Sequence, residues 1–277
     1  MTHLILSPHA DDAVLSCGGL MYTLKQQGEA VEVLTLTVAD VPYPPPASPV
    51  VLDLHPRWGL GDNPYIVRRA EDKAAVERLE ARIVFGDWLD AIYRVDATGQ
   101  AYYPSYDSLF AEIHPSDPVL NLILDYHQRA DLKALYIPLA AGNHVDHQLV
   151  RKLAIRGLHG VQPHFAVYFY EEYPYAAETN EVLHFHSGDK PRLYGSTAVQ
   201  TALKTLPGSA SPTVQAFDEA ALKAKVEAIA CYASQISSFW NSTEAMGQNV
   251  REYARFVGGS AGIELGERLW ILNTNSQ

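Results

Sequence analysis

Two short polar segments carry the side chains best suited to chemistry in this 277-residue chain. Residues 7–12 read Ser-Pro-His-Ala-Asp-Asp, and residues 142–147 read Gly-Asn-His-Val-Asp-His. Histidine nitrogens and carboxylate oxygens are typical ligands of Zn²⁺, and a catalytic zinc site leaves one position open for water. Each segment directly follows a short apolar run that predicts a β-strand. We therefore expect the two segments to meet at one edge of a sheet and to form a metal site.

The chemistry of such a site is the hydrolysis of a polar bond. A bound metal lowers the pKa of its water to about 7 in well-studied sites, and a carboxylate that does not bind the metal can accept the proton. Either segment alone would be weak evidence, because an Asp-Asp pair commonly caps a helix or turn. Together the segments supply a complete set of ligands and spare acid-base groups.

The elements that must position these segments are those of an α/β fold. The hydrophobic pattern predicts strands at 4–7, 31–38, 133–138 and 165–170, and helices at 20–27, 68–82, 118–129, 146–158 and 219–239. Alternating strands and helices predict a Rossmann-like, mostly parallel sheet flanked by helices, with the site at the carboxyl ends of the strands. We expect Gly18 and Gly19 to open the first helix.

Residues 1–277 are expected to form a single domain. Residues 41–64 are rich in proline, which disfavours a central helix or strand there, and they are predicted to be either a surface loop or a wall of the active site. Residues 176–215 show no clear pattern and could include an excursion or a lid. Cys17 and Cys231 match no metal or redox spacing. One disulfide between them is an alternative, but two buried reduced thiols are expected.

The charge of the chain limits its partners. The formal net charge is -11, with 32 acidic and 21 basic residues, which argues against a nucleic-acid partner because phosphate binding needs a basic surface. No signal peptide and no run long enough to span a membrane are visible, so we expect a cytoplasmic protein. A homo-oligomer is compatible with these observations.

Both polar segments resemble the motifs of a known family. Residues 7–19, SPHADDAVLSCGG, resemble the N-terminal signature of the PIG-L/LmbE-like zinc deacetylases, usually written His-Pro-Asp-Asp-Glu, and HVDH at 144–147 is similar to the second motif of that family. The family includes enzymes that remove acetyl from N-acetylglucosaminyl groups. Ala10 replaces the usual proline, and Ala13 replaces the usual glutamate. The second change removes a possible partner for a metal-bound histidine.

The resemblance implies a role for each polar residue. It makes His9, Asp12 and His147 the ligands of Zn²⁺ or another divalent metal, and Asp11 the general base. It makes His144 the group that stabilises the oxyanion or protonates the leaving amine, with Asp146 orienting it. An imidazolium can donate to an anionic intermediate, and a nearby carboxylate favours that charged form.

The resemblance also implies residues that bind substrate. Residues 68–71 resemble an Arg-x-x-Glu helix start in which the arginine faces substrate, so Arg68 is expected there, with Arg69 as the alternative. Asp90 falls where the family places a sugar-binding aspartate. Residues 170–175 and 232–235 resemble later family segments.

These residues together predict a zinc-dependent hydrolase. We expect it to remove an N-acetyl group from a small-molecule amino sugar or glycoconjugate, using metal-activated water and an aspartate base. Two alternatives stay open: a zinc amidase acting on a larger acyl or thiol conjugate, and a non-catalytic sugar- or nucleotide-binding protein. His184 and His186 alternate as in a strand, but they lack an acidic or cysteine partner and are expected to be structural or surface residues.

Overall fold

Seven strands form one mixed sheet, which is the α/β fold predicted from the alternation of strands and helices. The computed structural model describes residues 1–124, 126, 128–160, 163–177 and 197–273. The strands are Thr2–Ser7 (β1), Ala30–Thr35 (β2), Arg82–Phe85 (β3), Leu132–Pro138 (β4), Ala166–Tyr170 (β5), Ala210–Ala216 (β6) and Gly266–Leu272 (β7). Their order is β3-β2-β1-β4-β5-β7-β6, with β1 to β5 parallel and β7 antiparallel to both of its neighbours.

The strand order reverses beside β1. This strand pairs with β2 on one side and with β4, which lies about a hundred residues further along the chain, on the other. Connections from β1 and β4 therefore leave the same edge of the sheet and run in opposite directions, which opens a crevice where α/β proteins bind ligands. Residues 8–11 follow β1 and residues 139–144 follow β4, so both polar segments lie at this crevice.

Nine helices cover the described part of the chain. They are Asp12–Gln26 (α1), Pro49–Trp58 (α2), Tyr65–Arg78 (α3), Tyr106–Leu109 (α4), Val145–Leu158 (α5), Thr197–Leu203 (α6), Glu219–Ile229 (α7), Ala233–Phe239 (α8) and Thr243–Gly259 (α9). Short 3-10 turns lie at Ala91–Tyr93, Pro118–Asn121 and Tyr175–Ala177. No described helix is long and apolar enough to cross a membrane.

Helix α1 begins earlier than predicted, at Asp12 and not at the glycine pair. All of its first ten residues are buried, so the sequence shows no amphipathic period there. Gly18 and Gly19 serve packing instead. A Cβ on Gly18 would lie 2.8 Å from Cγ of Lys225, and one on Gly19 would lie 2.7 Å from the ring of Phe217. The glycines therefore let α1 approach α7 and Phe217, which lies two residues before that helix.

Replacing Gly19 with alanine is expected to destabilise the protein. Overpacking against Phe217 costs roughly 1–3 kcal/mol, and the better helix propensity of alanine returns up to about 1 kcal/mol. Urea unfolding should therefore show a net loss of about 1–2 kcal/mol. Gly259→Ala is the control, because its Cβ would meet no atom within 4 Å, and it should be neutral or slightly stabilising. A Gly19→Ala protein as stable as the wild type would contradict the close approach.

The helix predicted at 219–239 is divided into α7 and α8. Asp218 caps α7 by accepting from the amide of Ala221. The chain then leaves helical geometry at Tyr232, whose hydroxyl donates to Asp72 at 2.7 Å. These long-range contacts outweigh the local propensity for a single helix.

The helix predicted at 118–129 was wrong: its described residues form only the 3-10 turn Pro118–Asn121. Leu122 is extended, with φ -77° and ψ 163°. Arg156 on α5 donates to the carbonyls of Leu120 and Leu122. Because those acceptors are bound to the arginine, the backbone gains less from continuing as a helix.

The proline-rich stretch contains a helix, which corrects the expectation drawn from its composition. Pro49 lies in the first turn of α2, where its missing N–H leaves no helical hydrogen bond unmade, and Ser48 caps that turn. Pro56 is tolerated near the end of the helix, before Gly59 takes a left-handed conformation with φ +64°. This helix supplies part of the pocket wall described below.

The segment 176–215 and the two cysteines were also the subject of predictions. Within 176–215, the described residues end one 3-10 turn and form α6 and β6, while His184 and His186 lie outside the described residues. Both cysteines are free thiols as expected, but only Cys17 is buried, whereas Cys231 is partly buried.

Candidate active site

Three donor atoms from the two polar segments converge on one point. His9 Nδ1 lies 3.2 Å from Asp12 Oδ2 and 3.2 Å from His147 Nε2, and the third side of the triangle measures 3.3 Å. Around a tetrahedral zinc with bonds of about 2.0–2.1 Å, neighbouring ligand atoms lie about 3.3 Å apart. The triangle therefore has the dimensions that a tetrahedral metal requires.

The turn between β1 and α1 positions the first two donors. Ser7 Oγ donates to the carbonyl of His9 at 2.7 Å and accepts from the amide of Ala13 at 3.0 Å. Asp12 Oδ2 also accepts from the amide of His9 at 2.8 Å. His147 lies in the first turn of α5 and is fully buried. The backbone of His9 and the side chain of Asp12 are thus fixed in the turn after β1, and His147 is placed by the start of α5.

A buried carboxylate contacts the far nitrogen of each imidazole. Glu172 Oε1 lies 3.1 Å from His147 Nδ1, and the same carboxylate accepts from the amides of Ala140 and Ala141. Asp146 Oδ2 lies 3.1 Å from Nε2 of His9. Such contacts select the ring tautomer that offers the other nitrogen to a metal. Glu172 therefore supplies a carboxylate partner of the kind that Ala13 cannot provide.

Sequence reasoning missed Arg94 altogether. Its guanidinium is buried, with Nη1 2.6 Å from Asp146 Oδ1 and Nη2 3.0 Å from Asp117 Oδ2. Although burial opposes ionisation of Asp146, Arg94 and His9 hold the pKa of that carboxyl well below its usual range. No local motif marks this arginine, because its partners come from distant parts of the chain. For Glu172, the only sequence signal was its place in the 170–175 segment.

Replacing Glu172 with glutamine is expected to weaken metal binding by about 10–100-fold, the usual cost of losing such a partner. The amide cannot offer His147 the same negative charge. Metal affinity measured by competition with a chromophoric chelator gives the result. Glu171→Gln is a matched control, because the neighbouring carboxylate is also buried but contacts Trp270, Tyr253 and Arg268. Equal metal affinities in the two variants would contradict the role of Glu172.

The electrostatics of the triangle favour a cation. Burial lowers the pKa of His9, but hydrogen bonds with Asp12 and Asp146 outweigh it and raise that pKa well above its usual value. Burial also lowers the pKa of His147, but Asp12 and Glu172 outweigh it and raise that pKa to about 9. The carboxylates around the two imidazoles thus favour positive charge at the triangle. A divalent cation that binds there would displace the ring protons and take up the same favourable interaction.

Two other groups of side chains also converge among the described residues. His9, His144 and His147 form one group, and His9, Asp90 and Asp146 form the other, with ligand atoms within 4.8 Å of one another. We favour the triangle, because its atoms are closer together. Substitution of His144 and of His147, each followed by measurement of the zinc content, distinguishes the first group from the triangle.

Asp11 lies beside the triangle and is 5% exposed. Burial and the neighbouring Asp12 carboxylate raise the pKa of Asp11 to about 7, although Arg68 opposes this shift. The nearest guanidinium nitrogen of Arg68 is 3.6 Å away. A carboxylate with this pKa can exchange a proton near neutral pH.

His144 caps α5, and its Nδ1 accepts from the amide of Asp146 at 3.2 Å. Burial, together with the charge of His9, lowers its pKa well below the usual value. The ring is therefore neutral in the metal-free protein and carries its hydrogen on Nε2, which differs from the imidazolium that was expected. Asp146 orients His144 through its backbone N–H, while its carboxylate contacts His9 and Arg94.

The expected substrate-binding residues lie in the same pocket. Arg68 is buried, and its guanidinium carbon lies 5.2 Å from the ring centre of Trp58 and 5.1 Å from that of Tyr65. Asp90 accepts from the Tyr65 hydroxyl at 2.5 Å and also lines the pocket. Arg69 instead binds the carbonyl of Val38 and the carboxylate of Asp40. It is therefore not interchangeable with Arg68.

The pocket above these groups has a volume of about 400 Å³. Its floor is formed by His9, Asp11 and Asp12. Its apolar walls are formed by Leu54, Trp58, Ile92, Leu109, Phe110, Tyr175 and Phe239. Leu54 and Trp58 belong to α2. Of the two positions predicted for the proline-rich segment, surface loop or wall of the active site, α2 therefore lies at the wall of the pocket. A polar floor below apolar walls is typical of a site for a small organic ligand.

Known proteins are similar to this chain in sequence and in fold. The PIG-L family, described as GlcNAc-PI de-N-acetylase, matches residues 4–157. A 2'-N-acetylparomamine deacetylase of Niallia circulans is 33% identical over 199 residues, which are 65% of this chain and 70% of that protein. A Streptomyces fradiae protein of the same name is 28% identical over 187 residues, covering 65% of this chain and 59% of the relative. The crystal structure of the zinc-inhibited form of teicoplanin deacetylase is 25% identical over the full length of both chains, with a TM-score of 0.75. The chain therefore belongs to the PIG-L family.

Proposed function

We propose that this protein hydrolyses the N-acetyl group of an amino sugar carried by a larger conjugate, and that Zn²⁺ is its metal. One observation carries the proposal: the donor triangle of His9, Asp12 and His147 lies beside an additional buried carboxylate, Asp11, on the floor of a pocket. Three ligands and a free base are the parts that metal-assisted amide hydrolysis requires.

When bound, the metal supplies Lewis-acid polarisation of the amide carbonyl and lowers the pKa of water. Asp11 accepts a proton from the attacking water and then delivers it to the nitrogen of the departing amine. His144 donates its Nε2–H to the carbonyl oxygen as that atom gains negative charge, so a neutral ring is sufficient. Arg68 lies beside Asp11 and opposes the rise of its pKa, which keeps part of the base ionised near neutral pH.

The substrate class rests on the relatives and on the shape of the pocket. Two relatives are named for the deacetylation of 2'-N-acetylparomamine, and one structure is that of a teicoplanin deacetylase. Trp58, Phe110 and Phe239 line the pocket here, and aromatic rings offer flat apolar faces against which sugar rings can pack. An acetylated amino sugar within a glycoconjugate therefore agrees with both observations.

Acetate release by the zinc-loaded protein tests the proposal. Substrates should include N-acetylglucosamine, 2'-N-acetylparomamine and an N-acetylated glycopeptide. We expect turnover of at least one of them and slower turnover when the acetyl group is replaced by longer acyl chains. Faster release of long acyl groups would favour the amidase alternative. Binding of these sugars without any release of acetate would favour a non-catalytic binding protein.

A further inference from the structure

Helix α8 lines one side of the pocket with both polar and apolar side chains. Gln235, Ser238 and Phe239, which are spaced three and four residues apart, all line it, so they lie on one face of the helix. Gln235 and Asp11 also border a smaller void next to this pocket. The amide side chain of Gln235 therefore lies in the neighbourhood of the proposed base.

A chain of hydrogen bonds orients this amide. Glu71 on α3 accepts from the amide of Ser234 at 2.8 Å and from its hydroxyl at 2.6 Å. A carboxylate accepts and a hydroxyl has one hydrogen to donate, so Ser234 Oγ can only accept from its other neighbour. That neighbour is Gln235, 2.9 Å away. The atom facing Ser234 must therefore be Nε2, which donates.

The orientation of Nε2 leaves Oε1 directed away from Ser234. Gln235 is 7% exposed, and no hydrogen bond to its Oε1 occurs within the described ranges of the chain. Because Gln235 lines the pocket, its Oε1 is an acceptor that a ligand can meet with a donor. Arg68, which lines the same pocket, offers donors only. The two side chains together suit groups that both donate and accept, which is the chemistry of hydroxyls.

We propose that Gln235 is a substrate-binding residue that accepts a hydrogen bond from a hydroxyl of the sugar ring bearing the acetamido group. This deepens the proposed function and rests on it for the identity of the ring. Ser234 and Glu71 act as positioning residues, because they hold Nε2 and direct the amide oxygen away from Ser234. The contact selects sugars with a hydroxyl at one ring position over sugars that lack it.

Binding of N-acetylglucosamine measured by calorimetry tests this, using zinc-loaded Asp11→Asn protein so that the probe is not consumed. Gln235→Met in that background should weaken binding by about tenfold, the effect of one hydrogen bond lost in a buried site. Analogues that each lack one ring hydroxyl identify the partner. In the protein that keeps Gln235, one analogue should bind about tenfold more weakly than N-acetylglucosamine. In the Gln235→Met protein, the same analogue and N-acetylglucosamine should bind with equal affinity. The other analogues should lose the same affinity in both proteins.

The controls separate structure from recognition. Gln248→Met makes the same change at an exposed position of α9 and should leave the affinity and the melting temperature unchanged. Ser234→Ala should weaken binding less than Gln235→Met, because the amide is retained but no longer oriented. Equal affinity with and without Gln235, additive losses for every analogue, or no binding of the sugar at all would overturn the inference. Failure of the proposed function would appear separately, as absence of acetate release from the wild-type protein while these binding differences persist.

Discussion

Asp11→Asn is expected to lower kcat for acetate release by about 10²–10⁴-fold, the usual contribution of a positioned general base. The side chain is nearly isosteric, so the zinc content and the melting temperature should stay close to those of the wild type. Asp87→Asn, on an exposed loop with no hydrogen bond to its side chain in the described structure, is the control and should retain full activity. An Asp11→Asn protein with wild-type kcat would show that another group takes the proton.

The same carboxylate predicts the direction of the pH dependence. Burial and Asp12 raise the pKa of Asp11 to about 7 in the metal-free protein, and a bound cation favours the charged carboxylate and lowers that pKa. A base acts in its deprotonated form, so kcat/KM should fall as the pH falls through the pKa of Asp11. Arg68 opposes the rise of this pKa. Arg68→Met should therefore move the acid limb toward higher pH, in addition to any change in KM.

His147→Gln is expected to lose the metal, while His144→Gln is expected to keep it. His147 is one corner of the donor triangle, and loss of a ligand should reduce metal affinity by more than about 100-fold, beyond the 10–100-fold typical of outer partners. His144 binds an amide through Nδ1, so its variant should retain zinc. Loss of its hydrogen bond to the developing oxyanion should lower kcat by about 10²–10³-fold.

Zinc content by atomic absorption, together with acetate release, distinguishes the two histidines. Removal of the metal from the wild type with a chelator should abolish activity, and addition of zinc should restore it. The melting temperature should fall on metal removal, because an ion that binds the folded state stabilises it. If His144→Gln lost zinc as completely as His147→Gln, the group formed by His9, His144 and His147 would hold the metal instead of the triangle.

The sequence by itself determined the parts of the site that are local. A strand followed at once by histidine and aspartate occurs twice, and parallel strands place their carboxyl ends at one edge, so the meeting of the two segments could be predicted. The proposed donor set of His9, Asp12 and His147 and the proposed base Asp11 follow from the resemblance of motifs of a few residues. The α/β class follows from hydrophobic periods that extend over one element at a time.

Only the tertiary structure decided how these groups are held. Glu172 and His147 are in contact although 25 residues separate them along the chain. The separation is 137 residues for Asp146 and His9, and 163 residues for Glu71 and Ser234. No periodic pattern relates residues at such separations, because their proximity depends on how strands and helices pack in three dimensions. The division between α7 and α8 and the true start of α1 have the same origin. In each case contacts between distant elements outweigh the local preferences that a sequence displays.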